Sequence, residues 1–260
     1  YIAESGNDST ATGATDDPFR SIQAALNFGS DDDTAFVESG TYNENLVYRY
    51  DESESVRSVS LIGEDRETTI IDGQQNGPCI TFPINGYSSP TIKGLTIQNG
   101  SANVGISPIS SGGGIHISNN YYPIYLQDLI IENCTAEGNG GGINTDNSNA
   151  VIQNVIIRNN TADGGGGGIY CYNSNQILMD VTITDNSGGG IISTNSQSSL
   201  SLTNVTIANN SGGNGGAVII DGSTAALVNC ILWNNSPSYQ FDGTIVVSYS
   251  DIQGGYEGEG

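Results

Sequence analysis

Asn154-Val155-Ile156-Ile157-Arg158-Asn159 repeats a pattern set earlier by Gly94-Leu95-Thr96-Ile97-Gln98-Asn99 and Asp128-Leu129-Ile130-Ile131-Glu132-Asn133. It returns as Asp180-Val181-Thr182-Ile183-Thr184-Asp185, Asn204-Val205-Thr206-Ile207-Ala208-Asn209 and Asn229-Cys230-Ile231-Leu232-Trp233-Asn234. The final positions lie 34, 26, 26, 24 and 25 residues apart. Apolar residues alternate within each copy, which is the period of a short strand with one buried face. A second motif interleaves: Gly113-Gly114-Ile115, Gly141-Gly142-Ile143, Gly167-Gly168-Ile169, Gly189-Gly190-Ile191 and Gly215-Gly216-Ala217. A third short strand fits between the two, as at Ile124-Tyr125-Leu126 and Leu200-Ser201-Leu202. Three strands per repeat, stacked in parallel, predict an all-β solenoid with one rung per repeat. Leu95, Leu129, Val155, Val181, Val205 and Cys230 should stack as one buried column, and Ile97, Ile131, Ile157, Ile183, Ile207 and Leu232 as another.

The last position of the first motif is always Asn or Asp: Asn99, Asn133, Asn159, Asp185, Asn209 and Asn234. Both residues tolerate the left-handed backbone of a sharp bend and bond to nearby backbone groups. They are expected to form a buried ladder from rung to rung. Five of them open an Asn-x-Ser/Thr triplet. A buried ladder makes that turn chemistry rather than glycan attachment.

The ends differ from the middle. Phe19, Ile22 and Leu26 fall at helical spacing after Pro18, predicting a short capping helix in an N-terminal unit over residues 1–55. Rungs are expected over 56–252 and a Gly- and Glu-rich tail over 253–260. A solenoid end without a cap exposes strand edges. With no helix predicted there, the rung near Ile245, Val246, Val247 and Ile252 is expected to support homo-assembly. Two alternatives stay open: Asp251–Gly260 folds over it, or the polypeptide continues.

The composition narrows the function. The 260 residues carry 6 Lys plus Arg against 28 Asp plus Glu, a net charge of −22. That charge argues against nucleic-acid partners. No apolar run reaches the length of a membrane span. Gly is abundant, at 36 residues, and only 13% of the chain is charged, as turn-rich solenoids require. The chain starts at Tyr1 rather than Met, so an export signal is expected to have been removed already. Cys79, Cys134, Cys171 and Cys230 have no metal-site spacing and read as buried small residues, with a disulfide left open.

The repeats resemble those of right-handed parallel β-helix proteins of the pectate lyase-like superfamily. The N-terminal stretch is similar to theirs as well: Tyr1-Ile2-Ala3, Ser5-Gly6-Asn7-Asp8, Asp17-Pro18-Phe19, Ser21-Ile22-Gln23-Ala24-Ala25 and Ser39-Gly40-Thr41-Tyr42. The Gly-Gly-Ile and Ile157-Arg158-Asn159-Asn160 motifs also resemble repeats of bacterial polymorphic outer-membrane proteins. The resemblance implies an extracellular or cell-surface bacterial β-helix. The superfamily holds lyases, hydrolases, epimerases, adhesins and structural proteins, so the resemblance does not name an activity.

Eliminative cleavage of a polyuronate needs a base beside a cation that neutralises the carboxylate. The lyases this chain resembles use Arg or Lys beside Ca²⁺. Here Arg20, Arg49, Arg57, Arg66, Lys93 and Arg158 are the whole supply. Only Lys93 and Arg158 lie in or beside repeat strands, and Arg158 is expected to pair with Glu132 one rung away. Asn144-Thr145-Asp146 mimics the start of a polygalacturonase pattern whose remainder is missing. The face after the Gly-Gly motif carries the best candidate site. Its outward columns should read His116, Asn144, Tyr170, Ile192, Val218 and Ser118, Asp146, Tyr172, Thr194, Ile220. Rungs lie about 4.8 Å apart, so His116, Asn144, Asp146, Tyr170 and Tyr172 should converge to contact a glycan. Asp31, Asp32 and Asp33 offer hard oxygen ligands for Ca²⁺, as do Asp51 to Glu54 and Glu64 to Glu67. No other cofactor is expected. These readings favour a secreted or surface scaffold or adhesion module without catalysis, contacting polysaccharide. The alternative is a polysaccharide lyase or uronate epimerase working along the His116/Asp146/Tyr170/Tyr172 face.

Overall fold

A computed structural model describes residues 1–48, 58–82, 86–103, 105, 109–212, 216–237 and 240–255. The chain winds as an all-β parallel solenoid of about seven turns with one short helix near its N-terminus. Three sheets run along it. The first contains Leu46–Val47, Ile80–Phe82, Ile115–Ser118, Ile143–Asp146, Ile169–Tyr172 and Ile191–Thr194, each parallel to the next. The second and third share long strands such as Ile124–Glu132 and Ala150–Arg158, which bend midway at Asp128 and Asn154. Those two residues have φ of +52° and +54°, so the strand turns a corner without breaking its ladder.

The predicted core columns are present. Leu95, Leu129 and Val155 are in register, as are Ile131, Ile157, Ile183, Ile207 and Leu232. Every member of both columns is at most 2% exposed. Identical side chains stacked on identical side chains fill the interior, so each rung buries its apolar face only when its neighbours are there.

The bend after the third sheet corrects the ladder assignment. Asn99, Asn133, Asn159, Asp185, Asn209 and Asn234 do adopt the left-handed backbone, with φ between +55° and +58°. Their side chains, however, point outward: Asn99 is half-buried and the other five are exposed. The buried ladder is built one residue later by Asn160, Asn186 and Asn210, each at most 1% exposed. The Asn160 amide nitrogen donates to Asn186 Oδ1 at 3.1 Å, Asn186 to Asn210 at 2.9 Å, and Asn210 to Asn235 at 3.0 Å. The same nitrogens also donate to the buried carbonyls of Ile131, Ile157 and Ile183. Burial of the bend residues therefore gives no ground for excluding glycan attachment. At the opposite corner a hydroxyl ladder does similar work: Asn120 N donates to Ser148 Oγ, Ser148 N to Ser174 Oγ, and Ser174 N to Ser198 Oγ.

The capping helix spans Ile22–Phe28, with Ser21 as N-cap accepting from Ala24 N. It starts later than Pro18 implied. Phe19 precedes it and bridges to Ile2 as extended chain, although Phe19, Ile22 and Leu26 are all buried as expected. Both Glu44 carboxylate oxygens accept from the first helical amides, Ile22 N and Gln23 N. The helix packs against Thr34–Val37 and Leu46–Val47. Among the described residues no helix is long and apolar enough to cross a membrane. Cys79, Cys134, Cys171 and Cys230 are buried free thiols, and burial pushes Cys171 up to about 12.

Candidate functional site

The first sheet carries the face singled out from the sequence. Asn144 is in register with His116 and Tyr170, and Asp146 with Ser118 and Tyr172, so the predicted columns form. Tyr170 and Tyr172 continue onto Ile192 and Thr194. The last rung departs by one position: Ile191 pairs with Val218, which places Ile219 and Asp221 outward and turns Val218 and Ile220 inward. Gly190 there aligns with Ala217, not with a second glycine, because Ile191 N bonds to Ala217 O.

The two columns differ in access. Between the third sheet and the first, residues Ser101–Ala102, Thr135–Ala136 and Thr161–Ala162 form a small three-stranded sheet of their own. From it the glycine-rich stretches pass over the inner column. A Cβ on Gly112 would lie 2.9 Å from His116 Cβ, one on Gly140 2.8 Å from Asn144 Cβ, and one on Gly166 2.9 Å from Tyr170 Cβ. Glycine is what lets the backbone come that close. His116 is thereby half-buried, and Asn144 is 5% exposed. Burial holds the His116 imidazole below its ordinary pKa, opposed by the Ser111 backbone. Asn144 Nδ2 faces His116 Nδ1 at 3.4 Å, and Tyr170 Oη faces Thr194 Oγ1 at 3.4 Å.

The outer column stays open. Tyr172 is 43% exposed. Asp146 is half-buried, accepts from Asn147 Nδ2 at 2.8 Å, and has its carboxyl pushed up by burial. His116 and Asp146 thus occupy different columns, the first facing the Asn144 amide and the second the Asn147 amide. The described cations sit elsewhere. Arg20 is at the N-terminal cap, and Lys93 is exposed on the second sheet. Arg66 pairs with Asp128 at 3.2 Å and Arg158 with Glu132 at 2.7 Å, the latter as the sequence predicted. Arg49 and Arg57 lie outside the described residues.

The Ca²⁺ candidates Asp31, Asp32 and Asp33 do not converge. Asp31 accepts from Ser58 N and Asp33 from Ser30 N, while Asp32 takes φ +65° in the turn between them. The carboxylates of Asp31 and Asp33 serve the turn. Glu64 likewise caps Ser39 and Asp65 caps Glu67 N; Asp51 to Glu54 lie outside the described residues. Among the described residues no three His, Cys, Asp or Glu side chains are grouped to hold a metal ion. A cleft of about 620 Å³ opens at the N-terminal cap, lined by Glu4, Asp8, Arg20, Tyr42 and Glu44. Its Asp8 and Glu44 are committed to backbone amides.

A group that the repeats did not flag lies at the corner between the first and second sheets. Tyr87, Tyr121 and Tyr122 are each more than half exposed. The rings of Tyr87 and Tyr121 stack 4.7 Å apart at 11°, and Tyr122 meets Tyr87 edge-on at 6.2 Å. The available signal was a length difference: Ser118 to Ile124 is two residues longer than its counterpart, Asp146 to Ala150.

A family model described as "Right handed beta helix region" matches residues 83–254. The chain belongs to that family. Among solved structures this β-helix is similar to the pectin methylesterase from Yersinia enterocolitica, at 14% identity and TM-score 0.52, over 93% of each chain. It is also similar to the pectate lyase Pel9A, at 11% identity and TM-score 0.50, over 97% of the β-helix and 78% of the lyase. At such identities the likeness establishes the fold alone. No curated protein matches the β-helix by sequence.

Proposed function

We propose that this β-helix is a secreted or surface-displayed scaffold or adhesion module that contacts glycans without catalysing their cleavage. One observation carries the reading: the glycine-rich stretches cover the inner column, so that His116 and Asn144 sit beneath backbone while Tyr172 and Asn147 stay open. The open strip of aromatic and amide side chains suits sugar hydroxyls and C–H faces. The placement of Arg20, Arg66, Lys93 and Arg158 away from this face supports the absence of an eliminative step, which needs a cation at the substrate carboxylate. Self-association through the rung that holds Asp251–Ile252 belongs to the same proposal. Light scattering across salt and Ca²⁺ concentrations tests that part, because screening of the −22 charge should strengthen it.

The lyase or epimerase reading keeps one observation in its favour. His116, Asp146, Tyr170 and Tyr172 do occupy three consecutive rungs of one sheet. An assay on pectate, polygalacturonate and alginate with Ca²⁺, followed by absorbance of unsaturated products and by epimer ratio, separates the two. We expect no turnover. Turnover abolished by His116→Ala or Tyr172→Ala would replace the scaffold reading with the enzymatic one.

A further inference from the structure

Tyr87, Tyr121 and Tyr122 stand out because of what holds them. Directly beneath them Asn120 and Ser88 are 2% and 1% exposed. The Asn120 amide donates to the carbonyls of Ser88 and Tyr122, and Ser88 Oγ donates to Asn120 Oδ1 at 3.3 Å. Tyr121 N donates to Gly86 O at 2.8 Å, and Ser89 Oγ to Pro123 O at 2.7 Å. Two buried polar side chains and six further backbone or side-chain groups thus fix a loop whose aromatic rings face solvent. Burial of polar groups is costly unless they are fully bonded, and here their bonds lock an exposed surface rather than a core.

The column continues in a different chemistry. Asn147 follows Asn119 in the stack, and Ser148 accepts from Asn120 N. The next outward positions along the corner are therefore Asn149, Asn175 and Ser199. Asn149 Oδ1 accepts from Asn175 N at 2.8 Å, and Asn175 Oδ1 from Ser199 Oγ at 2.6 Å. Both amide oxygens are held by the solenoid, and among the described residues neither Nδ2 group has an acceptor to compete with a ligand. The corner thus presents a pre-ordered aromatic block followed by amides at rung spacing, about 4.8 Å per step.

We infer that this corner is a binding subsite for a neutral polysaccharide lying along the solenoid axis, with a sugar ring on the free face of Tyr121 and sugar hydroxyl oxygens accepting from Asn149 Nδ2 and Asn175 Nδ2. The inference rests on the glycan-contacting reading above and names both the place and the ligand class. Rigid aromatic anchors lose little conformational entropy on binding. Neutrality follows from charge. Residues 87–89 and 119–123 contain no ionisable group other than the tyrosine phenols, and a polyuronate approaching a chain of net charge −22 would find no cation there to repay the repulsion.

Affinity electrophoresis of the full chain through gels containing xyloglucan, glucomannan or arabinogalactan tests this, with polygalacturonate as the charged comparator. Retardation by at least one neutral polysaccharide is expected. Tyr121→Ala should weaken it by about tenfold or more, as truncation of a central aromatic anchor does. Tyr249→Ala, at an 89% exposed tyrosine elsewhere, should leave it unchanged, and an unaltered melting midpoint in each variant confirms folding. Retardation lost in Tyr172→Ala but intact in Tyr121→Ala would overturn the corner subsite while leaving the glycan reading standing. Tyr121-dependent retardation by polygalacturonate alone would overturn the neutral ligand class. Failure of every polysaccharide to retard the protein would remove both the subsite and the reading it rests on.

Discussion

Asn159 and Asn160 are adjacent and carry different burdens. Asn159 supplies a left-handed backbone at φ +56° with its side chain in water, and Asn160 is a fully buried rung of the amide ladder. Asn159→Gly should therefore change stability by no more than about 0.5 kcal/mol, since glycine takes that conformation freely. Asn186→Ala strands Asn160 N and the Ile157 carbonyl, while Asn210 Oδ1 keeps its bond from the backbone N of residue 186. It should cost at least about 2 kcal/mol, as each orphaned buried group costs about 1–3 kcal/mol. Denaturant melts of the two variants decide, and equal losses would contradict the division of roles. The bend was legible in the sequence, but which of two consecutive residues faces inward was not drawn from it. The signal was available: the first position admits Asp185, whereas the second reads Gly100, Cys134, Asn160, Asn186, Asn210 and Asn235, never a residue that would bury a charge. A second test at this scale concerns His116. Its folded pKa is depressed, so the unfolded chain binds the proton more tightly, and the stability His116 contributes above about pH 6.5 is lost as pH falls below it. Asp146 is shifted upward by burial and acts in the opposite sense within the carboxylate range at lower pH. Thermal melts of wild type and His116→Gln between pH 5 and 7 should differ in slope, and parallel curves would show that the ring is solvated.

Whole elements explain why the candidate site changed character. Strand columns could be read at a distance because alternation fixes both register and face; His116, Asn144 and Tyr170 align as predicted. What covers them could not, since the small sheet of Ser101–Ala102, Thr135–Ala136 and Thr161–Ala162 has strands of two residues and no apolar period. Its core is three alanines, Ala102, Ala136 and Ala162, stacked on one another. The glycines that follow it are what permits the chain to pass so close over the first sheet. Gly166→Ala should therefore reshape the site as well as destabilise the fold. Its φ is +64°, and a Cβ there would sit 2.5 Å from the Ile169 carbonyl oxygen. A loss of about 1–3 kcal/mol is expected. Hydrogen exchange should rise at residues 161–172 ahead of the rest, and exchange rising uniformly along the chain would argue that the cover is not a separate element. The tyrosine corner was missed for a related reason: a two-residue insertion breaks the repeat, and attention to periodicity passes over what interrupts it.

The molecule as a whole is one rung multiplied. From Asn133 to Asn159 to Asp185 the step is 26 residues each time, and over one of these turns the Gly-Gly passage (Gly141 to Gly167), the amide ladder (Asn160 to Asn186) and the hydroxyl ladder (Ser148 to Ser174) advance by the same 26. Deleting residues 160–185 would join Asn159 to Asn186 and set the Ile157 column directly beneath Ile207 without displacing any strand. The shortened protein should remain soluble and β-rich by circular dichroism, with a lower melting midpoint, as expected when stability is a sum over neighbours. An unfolded or aggregated product would mean that some rung carries a contact its neighbours cannot supply. The amide ladder gives this arithmetic a meaning beyond folding. Each amide donates to the following turn and accepts from the preceding one, so any number of turns can be spliced in while the pattern stays in phase. A gene encoding such a chain can lengthen or shorten by whole turns, and a product whose junction falls in phase would keep its columns and ladder intact. The reach of the surface then becomes heritable as a copy number, while the insertions at the corners are free to diverge one turn at a time.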